Sequence, residues 1–389
     1  MKDNTQQIVI VGAGVFGLAA AIELRQQGHA VNLLDRSGVP NELASSYDVS
    51  KAVRMDYADD VYFTEMMEEA LPTWTRWNDL SNGGIFFRTG MVFLSTRPYS
   101  GNTYEYLSFQ LLRERGYKLE RLDTDSITRL FPAWAADRFI DGYWNPHAGW
   151  VDANRTVTLL LARAQAAGVR ILTDCDVATV LSNGRSALGV ETKDGRRFPA
   201  DTVIVASGAW TSQLVPETRR LLRVVAQPVF RFRPASTTAF ESPNFPVWAV
   251  DLREAGWYGF PALADGTVKV ANHGAGTPVD PDARGEIAME FEEQCRRFLL
   301  DHLPALAESP ILYRRLCLYC DVFDGSFLVS AVPGLDGLFV ASGGSGHAFK
   351  FTPVLGSIVA DCVLDRPSRW TSRLAWREPG SPTSLTSRK

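Results

Sequence analysis

Three glycines spaced as Gly12, Gly14 and Gly17, set between an apolar strand and an apolar helix, constrain this chain more than any other feature of its sequence. Residues Gln7 to Val11 form a β-branched run, and Leu18 to Gln27 carries apolar residues at helical spacing, so strand, tight turn and helix follow in order. Gly28 ends the helix, and Ala30-Val31-Asn32-Leu33-Leu34-Asp35 predicts a second strand closing on an acid 21 positions after Gly14. The glycines permit a tight turn, close approach of backbone to a pyrophosphate, and close packing of helix on strand, while the helix N-terminus turns its N–H groups toward the anion. Asp35 is placed to accept from ribose hydroxyls. A dinucleotide site follows, and this motif alone admits NAD as well as FAD.

Two later segments favour FAD. The strand Thr202 to Ala206 runs into Ser207-Gly208-Ala209-Trp210, and Gly337 to Ser342 runs into Gly343-Gly344-Ser345-Gly346-His347. Either could be an ordinary turn in which glycine supplies a left-handed backbone. Together they predict one long cofactor lying across a sheet and touching three separate stretches of chain.

At 389 residues, 46% apolar and 22% charged, the chain is long enough for two lobes. A net charge of -4 without any Lys/Arg run offers no field for nucleic acid. No signal pattern and no bilayer-length apolar stretch is present, so a cytoplasmic protein without a membrane partner is expected. The final Thr-Ser-Arg-Lys departs from the Ser-Lys-Leu type of address, and Glu378 to Lys389 is polar enough for a loose tail. The five cysteines are scattered and odd in number, which argues against a disulfide framework, and no metal constellation or Ser-His-Asp order stands out.

Composition shifts after the first nucleotide unit. A Trp- and Phe-rich stretch spans Trp74 to Phe87, Gly90 to Leu94 predicts a strand outside that unit, Val151 to Ala167 a helix, and Gly168 to Val177 a returning strand. Ala187 to Val190 and the turn Lys193 to Arg196 predict a hairpin. Short strands at Val229 to Arg233, Val247 to Asp251 and Val268 to Ala271, with an amphipathic helix from Arg284 to His302, predict the second lobe.

Six blocks in order carry a resemblance. They are Gly12 to Gly17 with Asp35, Tyr47 to Arg54, Trp257 to Pro261, Val268 to His273, Cys317-Leu318-Tyr319, and Gly346 to Phe351. Through them nearly the whole chain resembles the flavin amine-oxidase family of monomeric sarcosine oxidase, N-methyltryptophan oxidase, pipecolate oxidase and fructosyl amino acid oxidase. The resemblance implies an α/β fold: a discontinuous FAD-binding, Rossmann-like domain of the glutathione-reductase type (1–86, 145–220 and 317–389) and an α+β substrate domain on an antiparallel sheet (87–144 and 221–316). It implies a monomer that takes a small amino acid with a free carboxylate, and dioxygen.

The resemblance also distributes roles. Cofactor contacts fall to Gly12, Gly14, Val15, Phe16 and Gly17; to Asp35 and Arg36; to Ser50 and Lys51; to Val177; to Ser207, Gly208 and Trp210; and to Gly344, Gly346, His347, Phe349 and Lys350. FAD is expected to be covalently linked through Cys317, although Cys320 leaves open which sulfur carries the link. Arg54 and Lys350 are expected to hold the substrate carboxylate, as a guanidinium fork and a second cation suit a planar anion. Lys269 is expected to promote reaction with oxygen, and Tyr258 and His273 to flank the substrate amine. Without the resemblance, Arg54 reads as a surface ion pair, Lys350 as a helix cap, Lys269 as an exposed strand residue and His273 as a structural histidine. Tyr47 to Arg54 points to the fructosyl branch and His273 to the secondary amino acid branch, so the substrate stays open between them, beside a flavin amine dehydrogenase with a non-oxygen acceptor.

Overall fold

A computed structural model describes residues 5–379, so ten of the residues in the predicted tail lie outside the description. Its first sheet has six strands in the order Leu328–Ala331, Leu338–Ser342, Thr202–Val205, Gln7–Val11, Ala30–Leu34 and Arg170–Leu172. All neighbours are parallel except the first pair, which explains why the central strands are apolar on both faces. The helix Val15–Gln26 packs against this sheet and against Thr352–Val363, where Gly356 lets the two backbones meet: a Cβ there would stand 2.6 Å from the carbonyl of Ala19.

The second large sheet is mostly antiparallel and carries two long strands, Leu222–Phe232 and Ile311–Val322, paired along nearly their whole length. Val268–Asn272 and Trp257–Gly259 extend it toward Val247–Val250 and Met91–Ser95. Ile311–Val322 therefore runs without interruption through the boundary placed at residue 317. A small third sheet pairs Lys51–Val53 with Gly149–Val151 between the lobes.

Two expectations need correction, and the Trp- and Phe-rich stretch, which carried no assigned element, takes a definite form. It begins as the end of a 20-residue helix, Val61–Leu80, which tolerates Pro72 and buries Trp74 and Trp77 on one face, and it closes on the short strand Phe86–Phe87. Arg170–Leu172 and Val177 belong to different sheets, because Asp174 takes a positive φ of 54° and turns the chain into a separate three-stranded sheet. The second-lobe helix starts at Met289, with residues 284–288 irregular, since Gly285 at φ 70° interrupts the helical pattern. Among the described residues no helix is long and apolar enough to cross a membrane.

Candidate active site

The first strand ends at Val11, and the chain turns at once through Gly12, held at φ 104°. A Cβ on Gly12 would lie 2.6 Å from the carbonyl oxygen of Ala206, and one on Gly17 would lie 1.8 Å from the carbonyl oxygen of Gly12. Both are contacts of backbone with backbone, so only glycine lets the helix begin this close to the strand end. Asp35 reaches back across the turn and accepts from the Ala13 N–H at 2.8 Å, from Asn41 at 3.0 Å and from the Ser37 N–H at 3.1 Å.

A cavity of about 180 Å³ opens over this turn. Its wall includes Gly12, Gly14, Val15, Phe16, Asp35, Arg36, Lys51, Val177, Ser207, Gly208, Trp210, Gly344, Gly346, His347 and Phe349. The three strand-to-glycine turns thus meet at one groove, as the sequence suggested. Gly17 is buried behind it, and Ser50 and Lys350 face the neighbouring cavity instead. Arg36 stacks on Trp210 at 5.1 Å, and both donate to Asp282, a residue with no sequence signal because it belongs to an irregular stretch far along the chain. The hydroxyl of Ser207 is buried without a hydrogen-bond partner among the described residues, and it stands at the wall of the groove. An elongated groove with a helix N-terminus, a glycine turn, an acid opposite and an unpaired donor fits the dinucleotide half of FAD.

A second cavity of about 70 Å³ adjoins the first, sharing Lys51, Tyr319, Gly346, His347 and Phe349 with it. Arg54, Lys350, Tyr258 and His273 all line it, so the four residues assigned to the substrate come together. Arg54 and Lys350 are 6% and 4% exposed, which removes the surface ion-pair reading of Arg54. Arg54 donates to the Tyr104 hydroxyl at 2.6 Å and to the backbone carbonyl of Asp56. Lys350 donates to the Tyr57 hydroxyl at 2.8 Å and to the carbonyl of His347 at 3.2 Å. Among the described residues, these partners include no carboxylate at ion-pair distance from either cation. Burial, reinforced by Arg54, holds the Lys350 ammonium well below its ordinary range. An anion between the two cations reverses that shift.

Lys269 is 1% exposed and lines neither cavity. Its ammonium donates to Asp48 at 2.7 Å and to the carbonyl of Ser50 at 2.8 Å, over the ring of Phe260. Burial pulls it down to about 8, with Asp48 opposing and Lys51 reinforcing. The exposed-strand reading is therefore excluded.

The two cysteines of the Cys317-Leu318-Tyr319-Cys320 run lie on a strand, where side chains alternate. Cys317 shares a face with Tyr319 and packs with Val225, Val229 and Ala271, close enough to Lys51 and Lys269 to interact with both charges. Cys320 turns the other way, into the core of the first lobe, with its sulfur 3.9 Å from the Ser342 hydroxyl. It also reaches the wall of the first cavity, whereas Cys317 lines neither.

Sequence reasoning missed Tyr57, Asp56 and Tyr104. Asp56 is fully buried, accepting from Tyr143 at 2.7 Å and Asn145 at 3.1 Å, and burial raises its carboxyl. Asp56 and Tyr57 lie two and three residues beyond the resemblance block that ends at Arg54, which was the available signal; Tyr104 opens a helix 50 residues away from Arg54 and had none.

Comparison with known proteins fits this geometry. A family model described as FAD dependent oxidoreductase matches residues 7–362. The chain is 26% identical to L-saccharopine oxidase of Schizosaccharomyces pombe, covering 98% of this chain and 95% of that protein. It is 24% identical to monomeric sarcosine oxidase of a Bacillus species, covering 92% of each. The solved structure of fructosyl amine: oxygen oxidoreductase (Amadoriase I) from Aspergillus fumigatus superposes with a TM-score of 0.82 at 22% identity, over 97% of this chain and 90% of that one, a likeness of fold.

Proposed function

The chain belongs to the FAD-dependent oxidoreductase family, and from that premise we propose that it oxidises the C–N bond of an N-substituted, secondary amino acid, with dioxygen as the electron acceptor. The observation that carries this reading is the pairing of Arg54 and Lys350 in one buried cavity that shares a wall with the dinucleotide groove. Two buried cations with no carboxylate at ion-pair distance among the described residues are costly to keep, and an amino acid carboxylate supplies the missing charge.

The groove around Gly12, Asp35, Arg36 and Ser207 would hold FAD, which would supply the two-electron chemistry between the amine and dioxygen. The protein's own part is binding and proton control. Arg54 presents a planar fork and Lys350 a point charge to the carboxylate, which fixes the orientation of the substrate, and positioning supplies most of the catalysis. His273 and Tyr258, neighbours in the cavity wall packed edge to face with ring centroids 6.3 Å apart, flank the amine, which must be neutral to react. Lys269 supplies positive charge behind Lys51 for the oxygen half of the cycle.

Cys317 is the residue proposed to anchor the cofactor covalently. Its place on the strand face of Tyr319, whose side chain lines both cavities, supports that choice. Burial pushes the Cys320 thiol up to about 12, which keeps it protonated at neutral pH and a poor nucleophile.

No Asp or Glu is among the residues lining the second cavity, and His273 is there instead. This supports a secondary amino acid over a fructosyl substrate. Deglycation is the second reading, favoured by Asp48 and Lys51, which pair at 2.9 Å at the cavity edge. Incubating the holoprotein with N-methyl, cyclic and fructosyl amino acids while following peroxide separates them. Peroxide from the N-methyl or cyclic set is expected; bleaching of flavin without peroxide would replace the oxidase with a dehydrogenase.

A further inference from the structure

Tyr57 touches both members of the cation pair. Its hydroxyl oxygen accepts from Lys350 at 2.8 Å, and its ring face lies 5.0 Å from the Arg54 guanidinium carbon. Its ring edge and faces are fixed in turn by Phe63 at 5.2 Å and Phe351 at 5.9 Å.

The direction of every hydrogen bond in this cluster can be assigned. The Gly325 carbonyl can only accept, so His347 Nε2, 2.9 Å away, carries a proton and donates. Burial and the nearby Lys350 hold His347 well below its ordinary range, leaving it neutral, with Nδ1 unprotonated. Nδ1 must then accept from the Tyr57 hydroxyl at 3.0 Å. With its proton committed to His347, the Tyr57 oxygen has lone pairs alone for Lys350, whose ammonium donates to it.

Resting on the function proposed above, we infer that Tyr57 and His347 form a positioning pair for the carboxylate clamp: Gly325 fixes the tautomer of His347, His347 fixes the rotor of Tyr57, and Tyr57 sets the aim and spacing of Lys350 and Arg54. The pair acts through the clamp and not on the reacting bond. His347 thus has a second role beside its place in the wall of the dinucleotide groove. The charged and titratable groups around Lys350 are Arg54, Asp56, Tyr57 and His347, so a change of its proton affinity on altering Tyr57 is read against those four.

The test uses the holoprotein and propionate, a carboxylate without an amine, titrated from pH 6 to 10 ~ the ordinary lysine range at its upper end ~ with the flavin absorbance change as readout. Tyr57→Phe keeps the ring and removes the acceptor. It is expected to weaken propionate about 10-fold at neutral pH, the scale of one lost charge-assisted hydrogen bond, and to bring the high-pH loss of binding to lower pH. His347→Leu should weaken binding similarly, and the double variant no more than either single one, as the two act in series. His347→Gln, able to donate to Gly325 and accept from Tyr57, should restore affinity to within about threefold of the parent, a difference of under 1 kcal/mol. A Tyr57→Phe protein that binds propionate like the parent, with the same pH dependence, overturns the positioning pair while leaving the clamp intact. Propionate that binds the parent and a Lys350→Met variant equally overturns the clamp itself, and the pair with it.

Discussion

The Asp48 carboxylate lies 2.7 Å from the Lys269 ammonium, and the same oxygen is 2.9 Å from Lys51. One buried acid therefore serves two lysines: half-buried Lys51, which lines both cavities, and fully buried Lys269, which lines neither. The arrangement leaves a surplus positive charge at the junction of the cavities, where the proposed chemistry builds negative charge on oxygen.

Removing the acid should be costly. Asp48→Asn leaves two lysines facing each other in a buried wall, and breaking such a pair from one side destabilises by about 3–5 kcal/mol. Burial acts to raise the Asp48 carboxyl, yet Lys269 and Lys51 overcome it and hold it well below the usual range. A depressed folded value means that its contribution is complete above the unfolded value of about 4 and is lost as pH falls further, through the folded value. Urea unfolding at neutral and acid pH should show the parent losing stability below about pH 4 more steeply than Asp48→Asn. Equal stability of the two at neutral pH would show that these contacts contribute nothing.

Lys269 gives a pH dependence of opposite use. Its ammonium is pulled to about 8 by burial, so it is charged below that pH and neutral above it. If it assists the oxygen half of the cycle, the rate at which reduced protein reacts with dioxygen should fall as pH rises through about 8. Lys269→Met should be slower by about 100- to 1000-fold and lose that dependence, the cost of removing one preorganised charge. Rapid mixing of reduced protein with oxygenated buffer measures both. A parent whose rate is level across that range removes Lys269 from the step.

What the sequence made legible was whatever lies within one contiguous block. Gly12 to Asp35 contains its own strand, turn, helix and acid, so the nucleotide unit follows from local rules. Arg54 and Lys350 were legible as a pair through the resemblance alone, since nothing local brings residues on either side of Tyr57 and His347 together. The helix Val61–Leu80 was not foreseen, because Pro72 and two tryptophans disguise its period. Yet this helix helps place the clamp: Trp74 donates its indole N–H to the Lys350 carbonyl at 2.6 Å. Tyr104 was hidden for a related reason, its value lying in a contact with Arg54 across the fold and not in any motif around it.

Covalent attachment is settled by chemistry on the whole protein. Acid-precipitated parent protein should stay yellow, and Cys317→Ser should release its flavin to the supernatant, while Cys320→Ser should stay yellow because that sulfur faces the first-lobe core. Colour retained by Cys317→Ser and lost by Cys320→Ser would reverse the assignment. Colour released by the parent would remove covalent attachment altogether.

Gly346 tests whether the junction of the two cavities is as tight as it must be for both to work. It lines both, sits at φ 73°, and has no room for a side chain: a Cβ would stand 2.4 Å from the Tyr319 ring and 3.1 Å from the His273 ring. Gly101 also takes a positive φ, 56°, but a Cβ there meets nothing within 4 Å and it lines neither cavity, so it serves as the control for backbone strain alone. Each alanine substitution should cost about 1–2 kcal/mol from the left-handed backbone, read by urea unfolding. Only Gly346→Ala should also displace Tyr319, whose strand carries Cys317 two residues earlier and whose hydroxyl lies 3.4 Å from that of Tyr258. It is therefore expected to lower flavin content per protein and raise KM, where Gly101→Ala changes stability with much smaller effects on both. If the two variants lose flavin and substrate affinity equally, the crowding at Gly346 is not what joins the sites.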